Sequence, residues 1–224
     1  MSKEQNIRII TTEDGSHSLL YEELDETYHS IHGAIQESNH VYIEAGLNYW
    51  LSKNPHSTSL NILEFGFGTG LNALLTSLKT NSRIKAIYDT LEKYPIAREV
   101  SKSLNYGEVM HSPKLFNTIH SASWGKAEMI TPDFLLTKTE IDFREYKSAN
   151  KYDIIYFDAF APSKQPELWT KEMFESCYGM MNQGAVLVTY SAKGQLKRDL
   201  KSIGFTVESL PGPPGKFEIT RAIK

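Results

Sequence analysis

The chain has 224 residues, 40% hydrophobic and 23% charged, with a formal net charge of −3. That is enough to bury one ordinary α/β core and too apolar for global disorder. The single cysteine, Cys177, excludes an internal disulfide framework and a four-cysteine zinc site.

No apolar run approaches the roughly 18 residues of a membrane span, and Met1-Ser2-Lys3-Glu4-Gln5-Asn6 lacks an apolar signal core. A cytoplasmic protein is expected. Residues 1–50 carry nine acidic side chains against two basic ones, whereas residues 181–224 carry seven basic against three acidic. A polyanionic partner would prefer the second region, unless that region is simply a solvated face.

In chain order, Ile7-Arg8-Ile9-Ile10-Thr11-Thr12, an Asp14-Gly15 turn and Ser18-Leu19-Leu20-Tyr21 predict a hairpin. Ile43, Leu47, Trp50 and Leu51 have helical spacing. The polar stretch 53–58 separates an N-terminal extension, 1–58, from a main domain, 59–224. There, strands are expected at 60–65, 84–91, from Phe134, at 152–157 and at 185–190. Between them lie apolar helical stripes: Leu71, Leu74, Leu75 and Leu78; then Phe174, Cys177, Tyr178 and Met181; then Leu196, Leu200 and Ile203. Pro95 is expected to open a helix. Residues 105–132 show no clear period. Two strands flank Pro211-Gly212-Pro213-Pro214-Gly215. The alternation predicts an α/β, mostly parallel sheet with helices on both faces and an antiparallel C-terminal edge.

Chemistry concentrates at strand ends. Glu64-Phe65-Gly66-Phe67-Gly68-Thr69-Gly70 follows a strand and opens a helix, where glycines admit a ligand to the backbone and free N–H groups are available. The dinucleotide fingerprint GxGxxG would need glycine at 71, where Leu71 stands. This disfavours a nicotinamide oxidoreductase. GxGxG after the acid Glu64 fits S-adenosylmethionine, whose ammonium an acid can hold directly or through water. The bland reading is a tight turn without a ligand.

Glu92 ends the next strand and can accept both ribose hydroxyl protons. Asp142, or its competitor Glu140, can meet the adenine amino group. Asp158-Ala159-Phe160-Ala161-Pro162 follows the strand at 152–157, beyond whose carboxyl end ligands of open sheets bind. Methyl transfer to nitrogen needs a neutral amine with its lone pair aimed at the methyl. A carboxylate at Asp158 can accept the amine's hydrogens and stabilise the developing cation. Phe160 can pack against the acceptor and Pro162 can stiffen the loop. Otherwise Asp158 only caps a turn or the helix near Trp169. The histidines show no metal spacing, so no metal is expected.

These segments resemble the MnmC-like methyltransferase family, and more closely its stand-alone MnmD type. Its marks are Tyr28-His29-Ser30 with Gly33 and Glu37, the segment 65–72, Glu92-Lys93-Tyr94-Pro95, the stretch from Asp158 to Trp169, and Thr189-Tyr190-Ser191-Ala192. The resemblance implies a Rossmann-like class I S-adenosylmethionine-dependent methyltransferase that methylates the 5-aminomethyl group of wobble (2-thio)uridine in tRNA, giving 5-methylaminomethyluridine. It implies Asp158 as catalytic residue, and Glu64, Gly66, Gly68, Gly70, Asn72, Glu92, Lys93 and Asp142 as donor-binding residues. Tyr28, Ser30, Glu37, Phe160, Pro162, Ser191, Lys193, Lys197 and Arg198 would meet the substrate.

Bifunctional members add a flavin-dependent oxidase domain. No second glycine fingerprint stands here, so no flavin is expected and another enzyme would supply the aminomethyl substrate. Ile141 and Phe217 depart from the family pattern, which favours glycine and a basic residue there. Two alternatives remain: an aminopropyltransferase or small-molecule methyltransferase on the same fold, and a non-catalytic RNA-binding module.

Overall fold

A computed structural model describes residues 6–80 and 84–224. The chain opens with β1 (Ile7–Thr11), β2 (His17–Tyr21) and the two-residue β3 (Glu26–Thr27), a small antiparallel sheet in that order. The predicted hairpin is present, with Ile7 paired to Tyr21 and Thr11 to His17. Asp14 fixes its turn by accepting from Thr12 Oγ1 at 2.8 Å and the Ser16 amide at 3.0 Å.

Next come α1 (Ala34–Ser38), a π-helical stretch Asn39–Asn48 and α2 (Tyr49–Lys53). The spacing of Ile43, Leu47, Trp50 and Leu51 predicts an ordinary helix. Instead the backbone winds more widely across the first two of these residues before tightening at Tyr49. Val41, Tyr42, Ile43 and Leu47 are all buried by this segment.

The main sheet is built from β4 (Ser59–Phe65), β5 (Lys85–Glu92), β6 (Ala127–Thr131), β7 (Phe134–Glu140), β8 (Tyr152–Phe157), β9 (Met181–Thr189), β10 (Thr206–Pro211) and β11 (Glu218–Ile223). The helices between are α3 (Leu71–Lys79), α4 (Arg98–Lys102), α5 (Tyr106–Val109), α6 (Pro113–Ser121), α7 (Lys171–Met180) and α8 (Gly194–Ile203). The strand order is β10-β11-β9-β8-β4-β5-β7-β6. Strands β9, β8, β4, β5 and β7 run parallel, while β11 against β9, β10 against β11 and β6 against β7 are antiparallel.

The central strands read as continuous apolar runs because both their faces are covered. One face packs under the π-helical stretch, α3 and α6, through Ile62, Tyr88, Tyr156 and Val188. The other packs under α7 and α8, through Leu63, Phe157, Phe174, Leu187 and Leu200. Cys177 is fully buried in this second core.

One further expectation is corrected. Pro95 does not open a helix; α4 begins three residues later, at Arg98. The unpatterned stretch 105–132 contains α5, α6 and the edge strand β6, each too short or too half-exposed to imprint a period. Among the described residues no helix is long and apolar enough to cross a membrane.

Candidate active site

Strand β4 lies between β5 and β8. The chain therefore reverses its direction of travel through the sheet at β4, and a crevice opens beyond the carboxyl ends of these strands. A cavity of about 380 Å³ occupies that place, within the range of small-molecule sites. Its walls include Gly66–Thr69 after β4, Glu92–Tyr94 at the end of β5, Asp142–Arg144 after β7, and Asp158–Ala161 after β8. Tyr190 after β9 and Tyr28–Ser30 from the N-terminal segment complete them.

The glycine loop is shaped by close backbone packing. Gly66 has φ +100°, and a Cβ there would stand 2.5 Å from the Asp158 carbonyl oxygen. Any side chain would push the two strand ends apart. Gly68, at φ +49°, lies beneath the Tyr28 ring, with only 3.1 Å between that ring and a Cβ. Between them the Gly66 and Phe67 amides donate to the Leu91 carbonyl at 3.0 and 3.1 Å.

Two histidines hold Thr69. His29 Nε2 lies 2.7 Å from its hydroxyl, and His120 Nε2 donates to its carbonyl at 3.0 Å. Burial pushes both imidazoles down to about 4, so both are neutral near pH 7. Beneath them the buried Lys138 donates to the Ile119 and His120 carbonyls at the end of α6. Burial lowers its ammonium to about 8.

Glu92 is the last residue of β5. It accepts from the Gly68 amide at 3.0 Å and the Tyr94 amide at 2.8 Å, and burial raises its carboxyl above the usual range. Asp142 lies on the same wall. Arg144 grips it through Nε and Nη2 at 2.9 and 2.7 Å, and Lys93 adds a contact at 2.7 Å. These bonds, the Arg144 pair first, hold it well below the usual carboxylate range.

Glu64 is placed differently from the other loop residues. It is fully buried, accepts from Thr90 Oγ1 at 2.6 Å, and does not line the cavity. Strand alternation puts it on the same face as Ile62, and both faces of β4 are covered there, so its side chain lies in the core and not in the cavity. Burial lifts its carboxyl to about 8, so it is protonated at neutral pH. Gly70 is likewise off the cavity wall; it starts α3 in a left-handed conformation.

Asp158 stands one residue past β8, on the cavity wall. Tyr42 donates to its Oδ1 at 2.5 Å and the Asn72 amide donates to its Oδ2 at 2.8 Å. Burial raises the carboxyl to about 7 against the pull of those two bonds. Both donors favour the ionised form and fix the plane of the group. Asn72, expected among the donor-binding residues, also lines the cavity but gives its amide to Asp158. Asp158 does not cap α7; Thr170 does, accepting from the Met173 amide.

Around Asp158 the wall is aromatic and acidic. Tyr28 and Phe160 meet edge-to-face with ring centroids 4.9 Å apart. Glu37 is only 6% exposed; its Oε2 accepts from the Ser30 amide at 2.7 Å and its Oε1 lies 2.5 Å from Lys216 Nζ. That ammonium also sits 3.9 Å from the centroid of the Tyr190 ring, whose hydroxyl donates to the Ala159 carbonyl.

The remaining predicted residues lie elsewhere. Pro162, Ser191, Lys193, Lys197 and Arg198 do not line the cavity. Lys193 and Arg198 are exposed on α8 or at its start, but Lys197 is paired with Glu218 at 2.5 Å. Arg221 pairs with Glu208, and Lys224 donates to the Tyr178 and Met181 carbonyls. Four of the seven C-terminal bases, Lys216 included, are therefore engaged internally, and the charge count overstates the basic surface. Sequence reasoning missed Tyr42, Lys216, Tyr190, His29 and His120. Only Tyr190 and His29 fall inside a quoted motif. Among the described residues no group of three or more His, Cys, Asp or Glu side chains is arranged to hold a metal.

Comparison with known proteins bears on the family and the fold. Residues 108–224 match the family described as S-adenosyl-L-methionine-dependent methyltransferase (Methyltransf_30). The tRNA 5-methylaminomethyl-2-thiouridine biosynthesis bifunctional protein MnmC of Leptospira interrogans is 30% identical over 210 residues, covering 88% of this chain and 32% of that protein. The protein of the same name from Marinomonas sp. is 30% identical over 225 residues, covering 93% and 32%. The chain thus spans about a third of the length of the curated relatives it matches. The crystal structure of MnmC2 from Aquifex aeolicus superposes with a TM-score of 0.78 at 25% identity, over 99% of this chain and 71% of that one. Spermidine synthase from Thermotoga maritima shares the fold, with a TM-score of 0.61 at 17% identity over 100% and 70%.

Proposed function

The chain belongs to the S-adenosyl-L-methionine-dependent methyltransferase family, and from that premise we propose that it methylates the 5-aminomethyl nitrogen of wobble (2-thio)uridine in tRNA. It works in the cytoplasm on a substrate that another enzyme supplies. The observation that carries this reading is Asp158: a carboxylate held by two donors at the cavity wall, one residue past β8 and in contact with the backbone of the glycine loop. The printed name of the relatives supports the tRNA substrate.

The residues fit the donor in three respects. The glycine loop gives it a wall made of backbone. Glu92 offers a carboxylate at the strand end for the ribose hydroxyls. Asp142, with the backbone after it, lines the same cavity and would hold the adenine. Bound S-adenosylmethionine would supply an electrophilic methyl on its sulfonium.

Asp158 then does the work this chain contributes to the reaction. Ionised, it accepts a hydrogen bond from the acceptor amine and turns the nitrogen lone pair toward the methyl. As the N–C bond forms and the C–S bond breaks, it stabilises the ammonium that develops and takes the surplus proton. Tyr28 and Phe160 exclude water and pack against the base. Of the N-terminal extension, the described residues 6–58 close the acceptor side. The exposed Lys193, Arg198 and Lys201 meet phosphates.

The test is incubation with labelled S-adenosylmethionine and tRNA carrying aminomethyl wobble uridine, followed by nucleoside mass analysis. A mass gain of one methyl on that nucleoside is expected. Label that goes only to a free small amine would overturn the tRNA reading.

A further inference from the structure

We propose that Lys216 is a positioning residue that keeps the acceptor amine uncharged: by neutralising Glu37 it removes a second net anion from the wall beside Asp158 and the reacting nitrogen. The inference rests on the methyl-transfer reading above and adds to it a residue that acts through charge.

The geometry begins with Glu37. It lies on α1, buried, with Oε2 taken by the Ser30 amide and Oε1 turned to the cavity wall. An unpaired carboxylate in such a place is strongly unfavourable, and it would attract any cation entering the cavity. Lys216 answers it at 2.5 Å from the loop between β10 and β11. Its ammonium is further confined over the Tyr190 ring, at 3.9 Å from the centroid. The hairpin bearing it is anchored to the N-terminal segment on both sides. Gly215 packs directly against the His32 ring, and His40 Nε2 donates to the Pro211 carbonyl at 2.7 Å. The lysine is therefore held in the wall and does not swing freely in solvent.

The groups facing it come from every packed element: Glu37 from α1, Tyr190 after β9, Asp158 after β8, Tyr42 from the π-helical stretch, and His29 and His32 from the N-terminal loop. Of these, Glu37 and Asp158 are the carboxyl groups, and burial leaves His29 neutral; Glu26 from β3 also lines the cavity and acts on Tyr190. Lys216 acts on Asp158 as well, drawing its carboxyl downward.

The chemical consequence follows from what the nucleophile must be. An alkyl amine is mostly ammonium at neutral pH, and an ammonium has no lone pair. Two carboxylates beside it would stabilise the ammonium; one carboxylate and a neutral Glu37–Lys216 pair stabilise it much less. A unit charge a few ångströms away in a partly buried site shifts a titration by about one pH unit. Lys216 thus sets the pH at which the amine becomes reactive.

The test is the pH dependence of kcat/KM on aminomethyl-uridine tRNA for the wild type, Lys216→Met, Lys216→Arg and the double variant Glu37→Gln/Lys216→Met. Lys216→Met should move the acid limb up by about one unit, a roughly tenfold loss at pH 7 that recovers at alkaline pH. Lys216→Arg should keep the limb in place. The double variant, which leaves no buried unpaired charge, should return it close to the wild-type position. Three results overturn the proposal: an unmoved limb in Lys216→Met; a loss equal at all pH values; or a changed salt dependence with an unmoved limb, which would mark a phosphate contact. A wild type without turnover on this tRNA sinks the methyl-transfer reading and this inference together. Wild-type turnover with an unmoved limb sinks this inference alone.

Discussion

The two ends of the cavity are made of different material. The donor end, at the tips of β4, β5 and β7, is a backbone surface: the glycine loop, the amides that Glu92 accepts from, and a carboxylate clamped by Arg144 and Lys93. The acceptor end, at the tips of β8 and β9, is a side-chain surface. There Asp158, the helical pair Glu37 and Tyr42, Lys216 and Tyr190 come from four separate stretches of chain. A backbone surface suits a ligand that never changes, because it is fixed by φ and ψ alone. A side-chain surface can be tuned in charge and hydrogen bonding, which is what choosing and activating a nucleophile requires.

Substitutions can break this contrast. The largest effect belongs to Asp158→Asn. It should cut kcat by a factor of about 100 to 1,000 while leaving donor affinity by calorimetry within a few-fold; an equal loss of donor affinity would show that the two ends are not separable. Next is Glu92→Ala, expected to weaken the donor about 10- to 100-fold with the KM for tRNA unchanged. An unchanged donor dissociation constant would remove Glu92 from the donor end.

Tyr42→Phe sharpens the contrast further. It deletes the 2.5 Å bond to Asp158, and kcat should fall about tenfold. That bond pulls the Asp158 carboxyl down, so its loss should raise the carboxyl further and add to any upward movement of the acid limb of the rate profile. A fall in kcat with no movement of the limb would make Tyr42 a packing residue only.

The smallest effect is on stability. Glu64 is held near 8 by burial, against the 4.5 of an ordinary glutamate. Between those values the folded chain retains a proton that the unfolded chain has released. Its contribution to stability is full below about 4.5 and declines as pH rises through about 8. Melting temperatures of the wild type should therefore fall between pH 5 and pH 8 more steeply than those of Glu64→Gln. Parallel curves would mean that Glu64 is not the buried proton-holder described here.

Much of the donor end was legible in the chain itself. The strand before Gly66, the helix after Gly70 and the acid ending β5 are local patterns, and the sheet followed from apolar runs alternating with helical stripes. The family assignment drew on the same segments, and the comparisons bear it out. Asp158 was visible too, because it directly follows a run that had to be a buried strand. Glu64 was misleading because its place before the glycines suggests a ligand contact, whereas it is still within β4, whose two faces are both covered.

The acceptor end was not legible, because its contacts join residues far apart in sequence. Tyr42 reaches Asp158 across 116 positions, and its aim depends on the widened winding of 39–48, which has no signature in the apolar spacing. Lys216 reads as one more base in a positively charged tail until the C-terminal hairpin is folded back against α1. The sequence by itself determined the layered, mostly parallel sheet and the glycine loop, since short-range periodicity and backbone sterics decide those; the crossover at β4 came from strand pairing. Only the tertiary structure decided which charges meet: packing brings Lys216 to Glu37 and Tyr42 to Asp158, and it turns Lys197 and Arg221 away from any outside partner.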